Sequence, residues 1–435
     1  MENTTSPTLP THWLARFITI WIGQQFSLIG SALVQFALIW WLTSKTGSAT
    51  ILATASLVAL LPQIVLGPFV GALIDRWNRR IIMIVADSSI AAATAILIVL
   101  FATGHIQIWH IFAILLIRSL GGAFHYPAMA ASTSLMVPRE HLARISGMNQ
   151  TVQGVVSIVS PPVGAWLLAV LQTHQILMID IGTAAFAILP LLFISIPVPP
   201  RQAAQANGDA QQTSYWHDLR DGLAYVGKWP GLFGMILLAM LLNFMLIPSS
   251  SLLPLIVKNE FRGGALELGW VETSFGVGIV VGGLILSAWG GFRRRIVTSL
   301  IGVIGIGLGV VATGLAPAGM LYLLLAACFI TGFTQVFANG PLNAIFQSAV
   351  EPDMQGRVMS LISAGATAMM PLSLLVAGPV SDWLGVRAWY LIGGGSCILA
   401  TLVAFFIPAI MNIENNKSGA PSEASAMVEQ SQAAP

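Results

Sequence analysis

The chain has 435 residues, 56% of them hydrophobic and 8% charged, with a mean hydropathy of +0.82 and a formal net charge of +2. A water-soluble domain carries roughly 25% charged residues, so water is not the main solvent of this fold and long soluble domains are excluded. The charge balance and the lack of a basic, aromatic-interleaved segment give no footing for nucleic-acid binding.

A bilayer core of roughly 30 Å takes about 20 apolar residues per helix. Apolar windows read against Gly, Pro and charge predict twelve spans: Phe17–Leu42, Thr50–Ile74, Ile81–Thr103, Gln107–Met136, Ile145–Leu171, Ile176–Ile196, Gly231–Val257, Leu268–Gly291, Ile296–Leu315, Met320–Ala349, Val358–Asp382 and Ala388–Met411. The first apolar run is too long for a signal-peptide core and lacks a small-residue cleavage site, so it is expected to stay as a span. Cys328 and Cys397 sit inside apolar runs and read as buried small residues, not as a disulfide or metal pair.

An even number of spans puts both termini on one side. About 14 Lys and Arg residues fall on that side and about 4 on the other, which predicts cytoplasmic termini by the positive-inside rule. The predicted organisation is a cytoplasmic tail over 1–16, a six-helix bundle over 17–197, a cytoplasmic linker over 198–230, a second six-helix bundle over 231–411 and a disordered cytoplasmic tail over 412–435. The linker is polar from Pro199 to Asp209. Beyond it, Thr213 or Ser214 can cap a short helix with Trp216, Leu219, Leu223 and Val226 on one stripe, suited to tethering the halves along the membrane surface.

The halves repeat. Gly71-Ala-Leu-Ile-Asp-Arg-Trp and Gly283-Leu-Ile-Leu-Ser-Ala-Trp each precede an arginine cluster, about 212 positions apart. Pro127 and Pro138 recur as Pro341 and Pro352, about 214 apart, and Pro162-Val-Gly-Ala-Trp-Leu recurs as Pro379-Val-Ser-Asp-Trp-Leu, about 217 apart. A near-constant offset predicts two parallel six-helix bundles that rock around a substrate held between them.

With those landmarks in place, the sequence resembles the major facilitator superfamily over nearly its whole length. Gly71-Ala-Leu-Ile-Asp75-Arg76-Trp-Asn78-Arg79-Arg80 is similar to the signature loop between helices 2 and 3, with Asn78 where the family has glycine. Asn tolerates positive φ, so the turn is expected to survive. Arg118-Ser-Leu-Gly121-Gly122 resembles the buried-arginine motif of helix 4. Pro161, Pro162 and Gly164 in helix 5 partly match the antiporter motif, and are expected to permit close packing and bending. Trp21-Ile-Gly-Gln24, Ser44-Lys-Thr-Gly-Ser-Ala49, Phe124-His-Tyr-Pro127 and Ala344-Ile-Phe-Gln347 resemble the macrolide-efflux branch. The resemblance implies an all-helical fold of two pseudo-symmetric bundles in the cell (inner) membrane, and proton-coupled export of an amphipathic small molecule. It requires no cofactor, and a monomer suffices.

Arg118 lies roughly 16 Å inside the membrane at 1.5 Å per residue. A mid-membrane arginine costs at least about 2.5–3.5 kcal/mol, so it must face a polar cavity or pair with a carboxylate, for which Asp87 is nearest by depth. Three carboxylates, Asp87, Asp180 and Glu272, fall inside spans and are candidates for carrying a proton, Glu272 foremost; each could instead reach water at an interface. His125 reads as a hydrogen-bonded packing residue. Helix 10 carries Gln335, Asn339, Asn343 and Gln347 four apart, near one side. With Gln24, Gln25, Gln150, Arg118 and Tyr126 they are expected to line a substrate cavity, or else to bond the helices to one another. Gly71, Asp75, Arg76, Arg79 and Arg80 are read as a cytoplasmic gate latch, or as orientation charges alone.

The chain lacks a Gly-x-x-x-x-Gly-Lys-Ser/Thr loop, which argues against an ATP-driven pump. It also lacks His-Glu-x-x-His and Gly-x-Ser-x-Gly, which argues against an intramembrane enzyme. Movement of a lipid-like or endogenous metabolite is the alternative within transport.

Overall fold

The structure is a computed structural model that describes residues 13–197, 223–350 and 352–414, with the backbone alone at Pro68, Ala72, Asp75, Pro352 and Asp353. The first twelve residues, most of the linker with its expected cap at Thr213 or Ser214, and the tail beyond Glu414 lie outside the described residues. Twelve helices among the described residues are long and apolar enough to cross a membrane. They are α1 (Trp13–Thr46), α2 (Ala49–Arg76), α3 (Arg79–Ala102), α4 (Ile108–Met136), α5 (Leu142–Val170), α6 (Thr173–Phe193), α7 (Pro230–Ser251), α8 (Ala265–Trp289), α9 (Arg295–Leu315), α10 (Leu321–Ala349), α11 (Pro352–Leu384) and α12 (Val386–Phe405).

Each predicted span overlaps one of these helices, with two revisions of shape; the twelfth, expected to run to Met411, ends at Phe405, and Pro408–Met411 forms a separate four-residue helix. Hydropathy predicts the seventh as a single run to Val257. In the structure α7 ends at Ser251, and Leu253–Asn259 forms a separate seven-residue helix. Pro248 and Pro254 account for the break, because a proline donates no amide hydrogen to the ladder and its ring crowds the preceding turn.

The turn between α2 and α3 also differs from expectation. Asn78 has φ −72°, not a positive value, and serves as the N-cap of α3, its side chain accepting from the Arg80 amide at 3.0 Å. Asparagine stands at that position as a cap.

Odd-numbered helices run away from the end where the described chain begins at Trp13 and ends at Glu414, here termed the proximal end or the side of the termini, and even-numbered helices return to it. The buried clusters report how the halves meet. One, at the distal end, joins residues of both halves, among them Leu42, Leu52, Ala165, Leu255, Leu268 and Ala377. Near the proximal end the clusters are separate: Phe17, Met83, Met136 and Ile145 belong to the N half, whereas Leu232, Leu300, Phe346 and Val358 belong to the C half. Two seams make the distal junction, α2 against α11 and α5 against α8. Small residues allow these approaches. A Cβ on Gly378 would lie 2.8 Å from the Thr50 Cα, and one on Gly269 would lie 2.7 Å from the Ala165 Cβ.

Toward the proximal end the same four helices part. Gly67 and Gly71 on α2, Gly147 and Gly154 on α5, Gly283 on α8 and Gly356 on α11 all face open space. The space between the halves is thus closed distally and open on the side of the termini. Cys328 and Cys397 are free and buried.

Candidate transport site

The residues expected to line the cavity divide into two groups. Asn339, Asn343 and Gln347 are exposed on α10, as is Gln150 on α5. Tyr126 on α4 is 73% exposed. Because α10 buries Pro341, Ile345 and Phe346 within its own half, the four-residue spacing leaves its amides on the unpacked side. Gln25 and Gln335 are partly buried. Asn149 is held by the Trp21 indole, whose Nε1 donates to its Oδ1 at 2.6 Å, joining α5 to α1.

Gln24 and Arg118 turn the other way, into the N half. Gln24 is buried, and its Nε2 donates to Asp87 Oδ2 at 3.3 Å. The partner of Arg118 is Asp180 of α6, not Asp87: Nη1 donates to Asp180 Oδ2 at 2.7 Å. Arg118 Nη1 also approaches Thr94 Oγ1 at 3.4 Å, and Nη2 donates to the Ser31 carbonyl at 3.3 Å. Asp180 further accepts from Ser31 Oγ at 3.4 Å and Thr94 Oγ1 at 3.2 Å. One buried ion pair therefore ties α1, α3, α4 and α6 together. Depth estimates along separate helices could not reveal this pairing, which depends on how α6 rotates its polar residue inward. Nor does Asp180 reach interfacial water, being 2% exposed.

Asp87 has a different neighbour. His125 Nε2 lies 3.4 Å from Asp87 Oδ1, with the histidine side chain 21% exposed and the carboxylate 7%. Histidine and carboxylate face each other between α3 and α4, with Gln24 of α1 closing the buried side of Asp87. The sequence reading of His125 as a hydrogen-bonded packing residue did not name Asp87 beside it, although the i and i+7 spacing from Arg118 placed both on one face of α4. Glu272 on α8 is partly buried.

Where α2 passes into α3, Gly71 and Arg76 at the end of α2 are exposed and Arg79 at the start of α3 is buried. Arg80 donates from Nε to the Leu191 carbonyl and from Nη2 to the Leu192 carbonyl at 2.6 Å, so it neutralises the C-terminal end of α6. The Asp75 side chain lies outside the described residues. Pro161, Pro162 and Gly164 sit within an uninterrupted α5. The first two meet α8 at the distal seam, and a Cβ on Gly164 would touch the Phe36 ring. A groove of about 630 Å³ opens beside Arg76, Trp77, Val85, Leu120 and Phe124. All its walls come from the N half, so it is not the space between the halves.

Two six-helix halves with a polar-faced opening between them define a membrane transporter of the major facilitator type, not an enzyme. A major-facilitator family model described as "transmembrane secretion effector" matches residues 7–432, and the chain belongs to that family. It is 35% identical over 406 residues to macrolide efflux protein A of Streptococcus pyogenes, covering 93% of this chain and 98% of that one. It is 24% identical to the multidrug efflux pump Tap of Mycolicibacterium fortuitum, over 88% of this chain and 94% of the pump. Among solved structures, a POT family transporter in complex with a thioalcohol-conjugated peptide superposes with a TM-score of 0.67 at 14% identity, covering 92% of this chain and 96% of that one.

Proposed function

We propose that this transporter exports amphipathic small molecules, macrolides among them, by alternating access coupled to proton entry across the cell membrane. The observation that carries the reading is the arrangement of the halves, joined distally and parted on the side of the termini. With the termini in the cytoplasm, as the arginine and lysine bias argues, that opening faces the compartment from which a drug would be loaded. Relatives named for macrolide and multidrug efflux support the substrate class. The exposed amides of Gln150 on α5 and of Asn339 and Asn343 on α10, together with exposed Tyr126, offer hydrogen bonds and an aromatic face to a bulky, mostly apolar ligand.

The N half supplies the coupling site. Asp180 is committed to Arg118, whereas Asp87 lies beside His125 and accepts from Gln24. Protonating Asp180 would strand Arg118, so Asp87 is the carrier this reading favours in the N half, beside Glu272 of α8, the foremost candidate from the sequence, in the C half.

Accumulation of a fluorescent macrolide in cells expressing the protein tests both parts. Expression should lower accumulation, and a protonophore should restore it. Accumulation indifferent to expression would sink drug export, and export that survives collapse of the proton gradient would sink the coupling. Asp87→Asn should keep macrolide binding to the purified protein and lose gradient-driven export; unchanged export in that variant would remove Asp87 from the coupling path.

A further inference from the structure

Two charges of the C half grip the tip of the α1–α2 hairpin, and each sits at the helix end whose polarity it complements. Lys258, in the short helix after α7, points its Nζ at the last turn of α1, where it donates to the Thr43 carbonyl at 2.8 Å and the Ser44 carbonyl at 2.9 Å. Those carbonyls belong to the negative end of α1 and have few partners within the helix itself.

Asp382, at the distal end of α11, takes the opposite role. Its Oδ1 accepts from the Ala49 amide at 2.6 Å, and its Oδ2 accepts from the Thr50 amide at 3.0 Å and from Ser48 Oγ at 2.9 Å. Ser48 already caps α2, accepting from Ile51 at 3.4 Å. The carboxylate from the other half thus completes the capping of the α2 N-terminus, with charge-assisted bonds to its free amides.

Between the two grips the chain turns through Thr46, Gly47 and Ser48. Gly47 has φ +62° and donates its amide to the Thr43 carbonyl at 3.1 Å, which keeps the tip compact. Ser44-Lys-Thr-Gly-Ser-Ala49 is among the runs that set this chain beside the macrolide-efflux branch, and the substrate opening makes no use of it.

We infer that Lys258 and Asp382 form a charge clasp on the α1–α2 hairpin that holds the distal end of the transporter shut. The inference rests on the alternating-access reading above, since a clasp matters only if the distal end opens. Every bond in it crosses from one half to the other, so opening the distal end breaks all five together and returns two charges and two helix ends to water. The repeat shows that the device is not a by-product of the fold. Where the C half has Asp382 in Pro379-Val-Ser-Asp-Trp-Leu, the N half has the neutral Ala165 in Pro162-Val-Gly-Ala-Trp-Leu, which meets Gly269 across the matching α5–α8 seam.

The test measures distances in the full chain, reconstituted in lipid nanodiscs with Cys328 and Cys397 replaced by alanine. Spin labels at His105→Cys and Ala318→Cys report the distal end; labels at Arg139→Cys and Arg293→Cys report the proximal end. Relative to the parent, the double variant Lys258→Met/Asp382→Ala should raise the distal-open fraction about tenfold or more, with a matching loss of proximal-open molecules. Asp382→Asn, which preserves shape, should give a smaller shift in the same direction and guards against a double variant that fails to fold. A distal distribution unchanged in folded Asp382→Asn overturns the clasp, as does an unchanged distribution in the folded double variant. Macrolide export by the parent, measured separately, tells the two readings apart. Export with an unmoved distal end overturns the clasp alone, whereas a distal end that opens on release of the clasp sustains it even if the parent exports no macrolide.

Discussion

The two halves share a backbone plan and hold themselves together by different chemistry. In the N half, Arg118, Asp180, Thr94 and Ser31 bind four helices through one buried ion pair and its hydrogen bonds. The repeat offset of about 214 places Gly332 of α10 where the N half has Arg118, and Gly394 of α12 where it has Asp180. A Cβ on Gly332 would collide with the Phe275 carbonyl oxygen of α8, and one on Gly394 would lie 2.7 Å from the Gly307 carbonyl oxygen of α9. Thus the C half closes by backbone-to-backbone approach at the positions where the N half closes by charge. A polar contact between helices and a glycine contact between helices solve the same problem in a medium where apolar burial drives no association. They differ in how they fail, because removing one charge strands its partner while filling a glycine merely pushes two helices apart.

The largest expected effect tests the charged half. Arg118→Ala leaves Asp180 buried among Ser31 and Thr94 without its cation, and should cost about 3–5 kcal/mol of stability. Denaturation in mixed detergent micelles measures it. The double variant Arg118→Met/Asp180→Leu removes both charges and should recover most of that loss. A double variant as unstable as the single would mean that the pair positions the helices in a way packing cannot replace. Transport lost in Arg118→Ala therefore bears on a direct role for the arginine only when the double variant is assayed beside it.

The glycine half should respond less. Gly332→Ala forces α8 and α10 apart against the Phe275 carbonyl and is expected to cost about 1–3 kcal/mol, the range for overpacking a fitted contact. The same denaturation measurement checks it. A neutral Gly332→Ala would show that α10 slides to accommodate a methyl group, and would weaken the contrast between the halves.

How much of this is legible in the sequence follows from the kind of signal each feature leaves. Span number and the paired bundles are readable because bilayer thickness fixes helix length and the repeat fixes the partner of each helix. Asn339, Asn343 and Gln347 share the exposed side of α10, with Gln335 partly buried, and that much is readable because four-residue spacing is a property of a single helix. Arg118 with Asp180, Asp87 with His125, and Lys258 with the end of α1 are not readable, since each depends on the rotation of two helices far apart in sequence. Asp382 does leave a trace: a carboxylate at the end of a span whose repeat counterpart, Ala165, is neutral. The break after Ser251 is equally visible as Pro248 and Pro254, but bulk hydropathy runs straight through it.

The smallest effect gives the sharpest comparison, because it isolates one interhelical hydrogen bond. Thr94 in α3 and Thr401 in α12 are both fully packed, 1% and 0% exposed. The hydroxyl of Thr94 donates to Asp180 of another helix, whereas that of Thr401 donates to the Cys397 carbonyl of its own helix at 2.7 Å. Replacing either by alanine removes the same methyl group and the same hydroxyl, but only Thr94→Ala removes a bond that a separated helix could not keep. Thr94→Ala should therefore exceed Thr401→Ala by about 0.5–1 kcal/mol, in line with hydrogen bonds between membrane helices. Equal losses would mean that Asp180 is fully served by Arg118 and Ser31, and that the polar network of the N half has one member fewer than its geometry suggests.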